Sequence, residues 1–128
     1  MTTLEPTRSA LTLCAILAAA FLLVGCGAAP ATGWSSARVI DQTVYVGSTT
    51  GKVMAVNAAD GAIKWQFPTD KPLGALYGTP AIAEGVLYIG SFDHRMYALD
   101  AATGAKKWEF DTTKPIVSSA TVGNGMVY

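Results

Sequence analysis

Cys26 is the residue of this chain whose setting points most directly to a defined reaction. It closes the run Leu23-Val24-Gly25-Cys26, at the end of an uncharged stretch of 14 residues, 11–24, that follows Arg8. Such a stretch is short for a bilayer span of about 20 residues but suits the apolar region of a secretory signal. Small residues ahead of the cysteine suit a signal peptidase, and the thiol is a nucleophile as its thiolate. Cys14 lies inside the stretch and leaves with it, so cleavage before Cys26 leaves no thiol for a disulfide.

The other reactive groups point away from catalysis. His94 is the only histidine, and one imidazole with few carboxylates near it in sequence cannot build a metal site. It stands where a related earlier segment has Gly51, and histidine tolerates positive φ better than most residues, so a turn role is expected. Asp41, Asp60, Asp70, Glu84, Asp93, Asp100, Glu109 and Asp111 mostly fall at turn or strand-edge positions. No zinc-ligand spacing or nucleophile motif occurs, and the Gly-x-x-Gly arrangements open no helix, so they are turn glycines rather than phosphate loops. No catalytic, cofactor-binding or metal-ligating residue is expected. Lys plus Arg equals Asp plus Glu at 9 each, which leaves no basic field to draw nucleic acid.

The elements that carry these groups are written twice. Tyr45-Val46-Gly47-Ser48 recurs 43 residues later as Tyr88-Ile89-Gly90-Ser91. The match continues through Ala55/Ala98, Gly61-Ala62/Gly104-Ala105, Lys64-Trp65/Lys107-Trp108 and Phe67/Phe110. A third copy begins near Ser118 and runs to Tyr128. A period of about 40–45 residues signals stacked supersecondary units, none able to bury its apolar face alone.

Punctuation within the period says what each unit is. Residues 80–83 form a short apolar run closed by Glu84-Gly85, and Val86-Leu87-Tyr88-Ile89-Gly90 is a β-branched and aromatic strand signal. A turn at Asp93-His94 leads to Met96-Tyr97-Ala98-Leu99, and a loop over residues 100–104 leads to the alternating Lys106-Lys107-Trp108-Glu109-Phe110. Four short strands joined by tight turns predict a four-stranded antiparallel blade. The expected fold class is all-β, a partial β-propeller with an N-terminal signal segment. Residues 1–25 are expected to be the signal, 26–33 a flexible small-residue tether, and 34–128 two blades and the start of a third, starting near Trp34.

Ala98-x-Asp100-x-x-Thr103-Gly104-x-x-x-Trp108 resembles the tryptophan-docking repeat of quinoprotein (PQQ-like) propellers, and Ala55-x-Asn57-x-x-Asp60-Gly61-x-x-x-Trp65 follows it with Asn for Asp and Asp for Thr. Asn57 and Asp100 can bond the backbone N–H groups of the loop that follows. Gly61 and Gly104 suit a conformation a Cβ would penalise. Trp65 and Trp108 are expected to bury their rings against a neighbouring blade. The run ending at Cys26 likewise resembles the lipobox of bacterial lipoproteins.

Three function classes follow. The resemblance to the propeller lipoproteins of the outer-membrane barrel-assembly machinery implies a lipid-anchored, extracytoplasmic binding or scaffolding module without enzymatic activity. The quinoprotein resemblance implies instead a dehydrogenase fragment, with PQQ and Ca²⁺ on the propeller axis; the adjacent Cys-Cys pair of many such enzymes is missing here. A ligand-sensing ectodomain is the third class. Residues 34–128 encode fewer blades than the 4–8 of a closed propeller, so a fragment of a longer protein is expected. A protein or small-ligand partner is expected on the face made by residues 48–52, 68–78 and 92–95, with Asp70, Lys71, Phe92, His94 and Arg95 its candidate contacts. The Cys26 reading has a direct test. Cys26→Ser should release the protein from the membrane fraction or block its processing, and intact mass should show the diacylglyceryl adduct only on the parent chain.

Overall fold

The computed structural model describes residues 35–128; the apolar stretch, Cys26, the expected tether and Trp34 lie outside the described residues. Ten strands follow one another: β1 (Arg38–Ile40), β2 (Thr43–Gly47), β3 (Val53–Asn57), β4 (Ile63–Phe67), β5 (Ala81–Ala83), β6 (Val86–Gly90), β7 (Arg95–Asp100), β8 (Lys106–Asp111), β9 (Val122–Gly123) and β10 (Met126–Val127). They form two four-stranded antiparallel sheets, β1-β2-β3-β4 and β5-β6-β7-β8, and a two-stranded β9-β10 sheet. The chain is thus built of all-β propeller blades. Among the described residues no helix is long and apolar enough to cross a membrane.

Local chemistry sets each turn. The first two strands of every copy meet at a two-residue turn, with both φ values positive: Asp41-Gln42 at 44° and 58°, Glu84-Gly85 at 50° and 73°, Asn124-Gly125 at 52° and 74°. Positive φ at both central residues matches the right-handed twist of the flanking strands. The loops after β3 and β7 are held from within. Asn57 Oδ1 accepts from the Ala59 N–H at 3.0 Å, and Asp60 Oδ1 from the Ala62 N–H at 2.9 Å. Asp100 Oδ1 accepts from the N–H groups of Ala102 (3.1 Å) and Thr103 (3.0 Å), and Thr103 Oγ1 accepts from Ala105 at 3.3 Å. Asp60 and Thr103 therefore do the same work with different side chains.

The inner strands β2 and β3 bury alternate residues, those turned toward the second sheet. Tyr45, Val53 and Ala55 of the first sheet meet Leu87, Ile89, Tyr97 and Leu99 of the second, with Trp65 and Phe67 packed against this core. Trp65 makes the joint: its Nε1–H donates to the Ala101 carbonyl at 3.0 Å, and a Cβ on Gly104 would lie 2.5 Å from its ring. The first strands of successive copies also approach each other. Ser35 Oγ donates to the Gly78 carbonyl at 3.0 Å, the Thr79 N–H donates to Ser119 Oγ at 2.9 Å, and a Cβ on Gly78 would strike the Ser118 backbone.

Among the described residues Trp108 has an aromatic partner only in its own sheet. It packs within its own sheet on Tyr88, centroids 5.8 Å apart, as Trp65 packs on Tyr45 at 6.1 Å. Yet it remains 41% exposed. The reason is register: Trp108 lies on the far face of the second sheet, where β9 and β10 supply counterparts of β5 and β6 but, among the described residues, nothing stands for β7 and its loop.

Gly61 and Gly104 share a φ of 75°, but a Cβ on Gly61 meets nothing within 4 Å. Gly61→Ala should therefore cost only the left-handed strain, about 1–2 kcal/mol. Gly104→Ala adds the collision with Trp65, and should approach the about 3–5 kcal/mol typical of Trp65→Ala. Urea unfolding of the three variants checks the order.

Candidate functional site

Antiparallel strands send alternate turns to opposite ends of a sheet, so the connections β2–β3, β4–β5 and β6–β7 share one end. Backbone bonds lock them to one another. The Leu73 N–H donates to the Gly51 carbonyl at 2.9 Å, Leu76 to Ser48 at 3.2 Å, and Phe92 to Ala75 at 3.0 Å. Ser91 Oγ donates to the Gly74 carbonyl at 3.2 Å, and Gly74 is pressed against the Asp93 backbone where no Cβ fits. The structure thus brings together the three loop segments that the sequence singles out separately.

Each candidate residue has a definite place on this end. Asp70 and Lys71 are exposed in the β4–β5 connection. Phe92 is 48% exposed at the tip of the β6–β7 turn, edge-on to Tyr77 with centroids 5.9 Å apart. His94 is exposed with φ 71°, beside the 78° of its counterpart Gly51, and its carbonyl accepts from the N–H (2.8 Å) and hydroxyl (2.9 Å) of Thr112. Arg95 opens β7 and is tied to Glu109 at 3.5 Å, so part of its charge serves its own sheet. The docking residues Asn57, Asp100, Gly61 and Gly104 lie at the other end, in the β3–β4 and β7–β8 loops.

One feature of the site has no signature in the sequence pattern. The buried Tyr97 hydroxyl donates to Asp93 Oδ2 at 2.7 Å, bracing the turn that carries Phe92, while Asp93 Oδ1 is buried without a partner. Burial first, then the bond to Asp93, pushes the Tyr97 phenol up to about 12. At the other end the Thr103 hydroxyl and N–H hold the Asp100 carboxyl below the usual range. The Lys106 ammonium, 2.7 Å from Glu109, does the same for that carboxyl.

Four carboxylates are spent locally. Asp60 and Asp100 cap their own loops, Asp111 Oδ1 accepts from the Thr113 N–H at 2.9 Å, and Glu109 pairs with Arg95 and Lys106. Among the described residues no three His, Cys, Asp or Glu side chains are placed to hold a metal ion together. What this end offers is a rigid surface with one aromatic, several charges and little depth.

Tyr97 supplies a pH test. Unfolded, the phenol titrates near its ordinary 10.0; folded, near 12, so between these values the unfolded chain has released a proton that the fold retains. Stability contributed by the neutral phenol is complete below pH 10 and is lost as pH rises toward 12. The melting temperature of the parent chain should fall across that window more steeply than that of Tyr97→Phe, and phenolate absorbance should show one late-titrating tyrosine.

Residues 24–128 match the family described as outer membrane protein assembly factor BamB. The structure is similar to a quinohemoprotein alcohol dehydrogenase from Pseudomonas putida HK5 (TM-score 0.66, 27% identity, 73% of this chain and 16% of that one). It is similar to that of the corresponding enzyme from Comamonas testosteroni (0.65, 26%, 74% and 16%) and to BamB from Moraxella catarrhalis (0.62, 20%, 74% and 31%). The chain therefore spans less than a third of each of these proteins. No curated protein matches it. With the family match covering both complete sheets and the tryptophan joint between them, the chain belongs to the BamB family of PQQ-like repeat propellers.

Proposed function

We propose that the protein is a non-enzymatic binding module of outer-membrane protein assembly, anchored outside the cytoplasm through a lipid on Cys26, and that its partner is a protein held on the β2–β3, β4–β5 and β6–β7 loop end. The observation that carries this reading is the convergence of those loops into one hydrogen-bonded surface that leaves Phe92 half-exposed. Comparison of the copies supports it. Phe92 takes the place of Thr49, and the β4–β5 connection with Asp70 and Lys71 is three residues longer than its successor, so neither feature is required by the repeat. Rigid aromatics within a polar rim are the usual energetic centre of a protein interface. The membership of the BamB family suggests the class of partner.

A dehydrogenase reading draws on the 27% identity to the Pseudomonas enzyme. A quinone with Ca²⁺ requires converging oxygen ligands, typically 6–8 for the ion. Asp60, Asp100, Glu109 and Asp111 do not fit that demand, since each already bonds its own loop or sheet. We therefore assign no redox step to this chain.

Photo-crosslinking residues placed at Phe92 and Lys71 test the surface, with Ala59 at the opposite end as control. Adducts with an outer-membrane assembly component are expected from the first two sites and not from Ala59, and Lys71→Glu should weaken them several-fold. Equal crosslinking from Ala59, or none from Phe92 and Lys71, overturns the reading.

A further inference from the structure

The chain enters its first sheet at the loop end. β1 runs antiparallel to β2, with Arg38 opposite Tyr45 and Ile40 opposite Thr43. Arg38 therefore lies toward the end where β2 passes into the β2–β3 turn, and the Asp41-Gln42 turn lies at the other end. Ser35 marks the same side. Its hydroxyl donates to the Gly78 carbonyl at 3.0 Å, and Gly78 follows Tyr77, whose ring stands edge-on to Phe92. Entry point, β4–β5 connection and half-exposed Phe92 thus share one end of the sheets.

That placement limits how the protein can stand on a membrane. Nine peptide links separate Cys26 from Ser35, and a chain of that length spans at most about 30 Å when fully extended. The root-mean-square reach of a small-residue chain of nine links is shorter, about 15–18 Å. Turning the opposite end toward the lipid would put Ser35 a whole strand length further out. β2 and β3 have five residues each, which is about 17 Å before the turns at either end are added. Such a stance stretches the linking chain beyond its mean reach, whereas standing on the loop end asks for no extension.

We propose that this short link turns the loop end toward the membrane, so that the surface around Phe92 meets its partner in the layer between the sheets and the bilayer. The orientation presupposes the lipid on Cys26 and extends the loop-end reading given above. It selects the partner by location, as a polypeptide segment that comes within about 30 Å of the lipid surface. Confining the surface and that segment to one thin layer raises their effective concentration, toward the mM range for short links. The exposed carboxylates of Asp41, Asp60 and Glu84 then face away from the lipid headgroups.

The test uses the full-length acylated protein on vesicles whose lipids carry an energy-transfer acceptor. Cys14 leaves with the signal and Cys26 is acylated, so Thr69→Cys or Ala59→Cys supplies a free thiol for the donor dye. Both sites are exposed, Thr69 at the loop end and Ala59 at the opposite end. Transfer should be several-fold more efficient from residue 69 than from residue 59. Insertion of about ten Gly and Ser residues after Gly33 should remove that difference and weaken crosslinks from Phe92 several-fold. Asymmetric transfer without any crosslink from Phe92 supports the orientation and removes the protein-partner reading, so the two fail separately. Equal or stronger transfer from residue 59, a difference that survives the longer link, or a chain not acylated on Cys26 would each overturn the proposal.

Discussion

The Trp65 indole couples two levels of structure that are otherwise independent. Its ring lies on Gly104 and its N–H on the Ala101 carbonyl, so the packing of the first sheet depends on the conformation of a loop in the second. That loop is in turn held by Asp100 and Thr103. The Asp100 side chain thus governs how a tryptophan 35 residues earlier is received. Because the contact is between neighbours only, cohesion propagates along the chain rather than around a single centre.

The two ends of the sheets have been put to different use. At the end with Asp60 and Asp100, polar side chains turn inward to their own backbone. At the other end, backbone bonds between connections do the same holding, which releases the side chains of Asp70, Lys71 and Phe92 to face solvent.

Much of the fold was legible because it depends on local chemistry repeated at a fixed period. Turn residues marked the hairpins, and the alignment of His94 with Gly51 located a left-handed position that the structure places at φ 71° and 78°. Strand limits inferred from β-branched and aromatic runs agree with β6 and β8 to within a residue. What was not legible depends on which face of a sheet meets which neighbour. Trp65 and Trp108 look alike in sequence, and nothing in their pattern says that the first meets the Ala101 carbonyl and Gly104. The Tyr97–Asp93 bond has no counterpart in the first copy, where Met54 and Thr50 stand, and the convergence of three loops is a property of sheets stacked in space.

The close approach of the first strands has a consequence for shape. Gly78 touches the Ser118 backbone, and the hydroxyls of Ser35 and Ser119 bridge neighbouring copies directly, so spacing there is set by main chain and small side chains. On the far side of the same sheets, the gap must admit whole aromatic rings, Trp65 and Phe67 among them. Layers held thin along one margin and thick along the other fan outward. The opening of that fan is written in the size contrast between a glycine with two serines and a tryptophan.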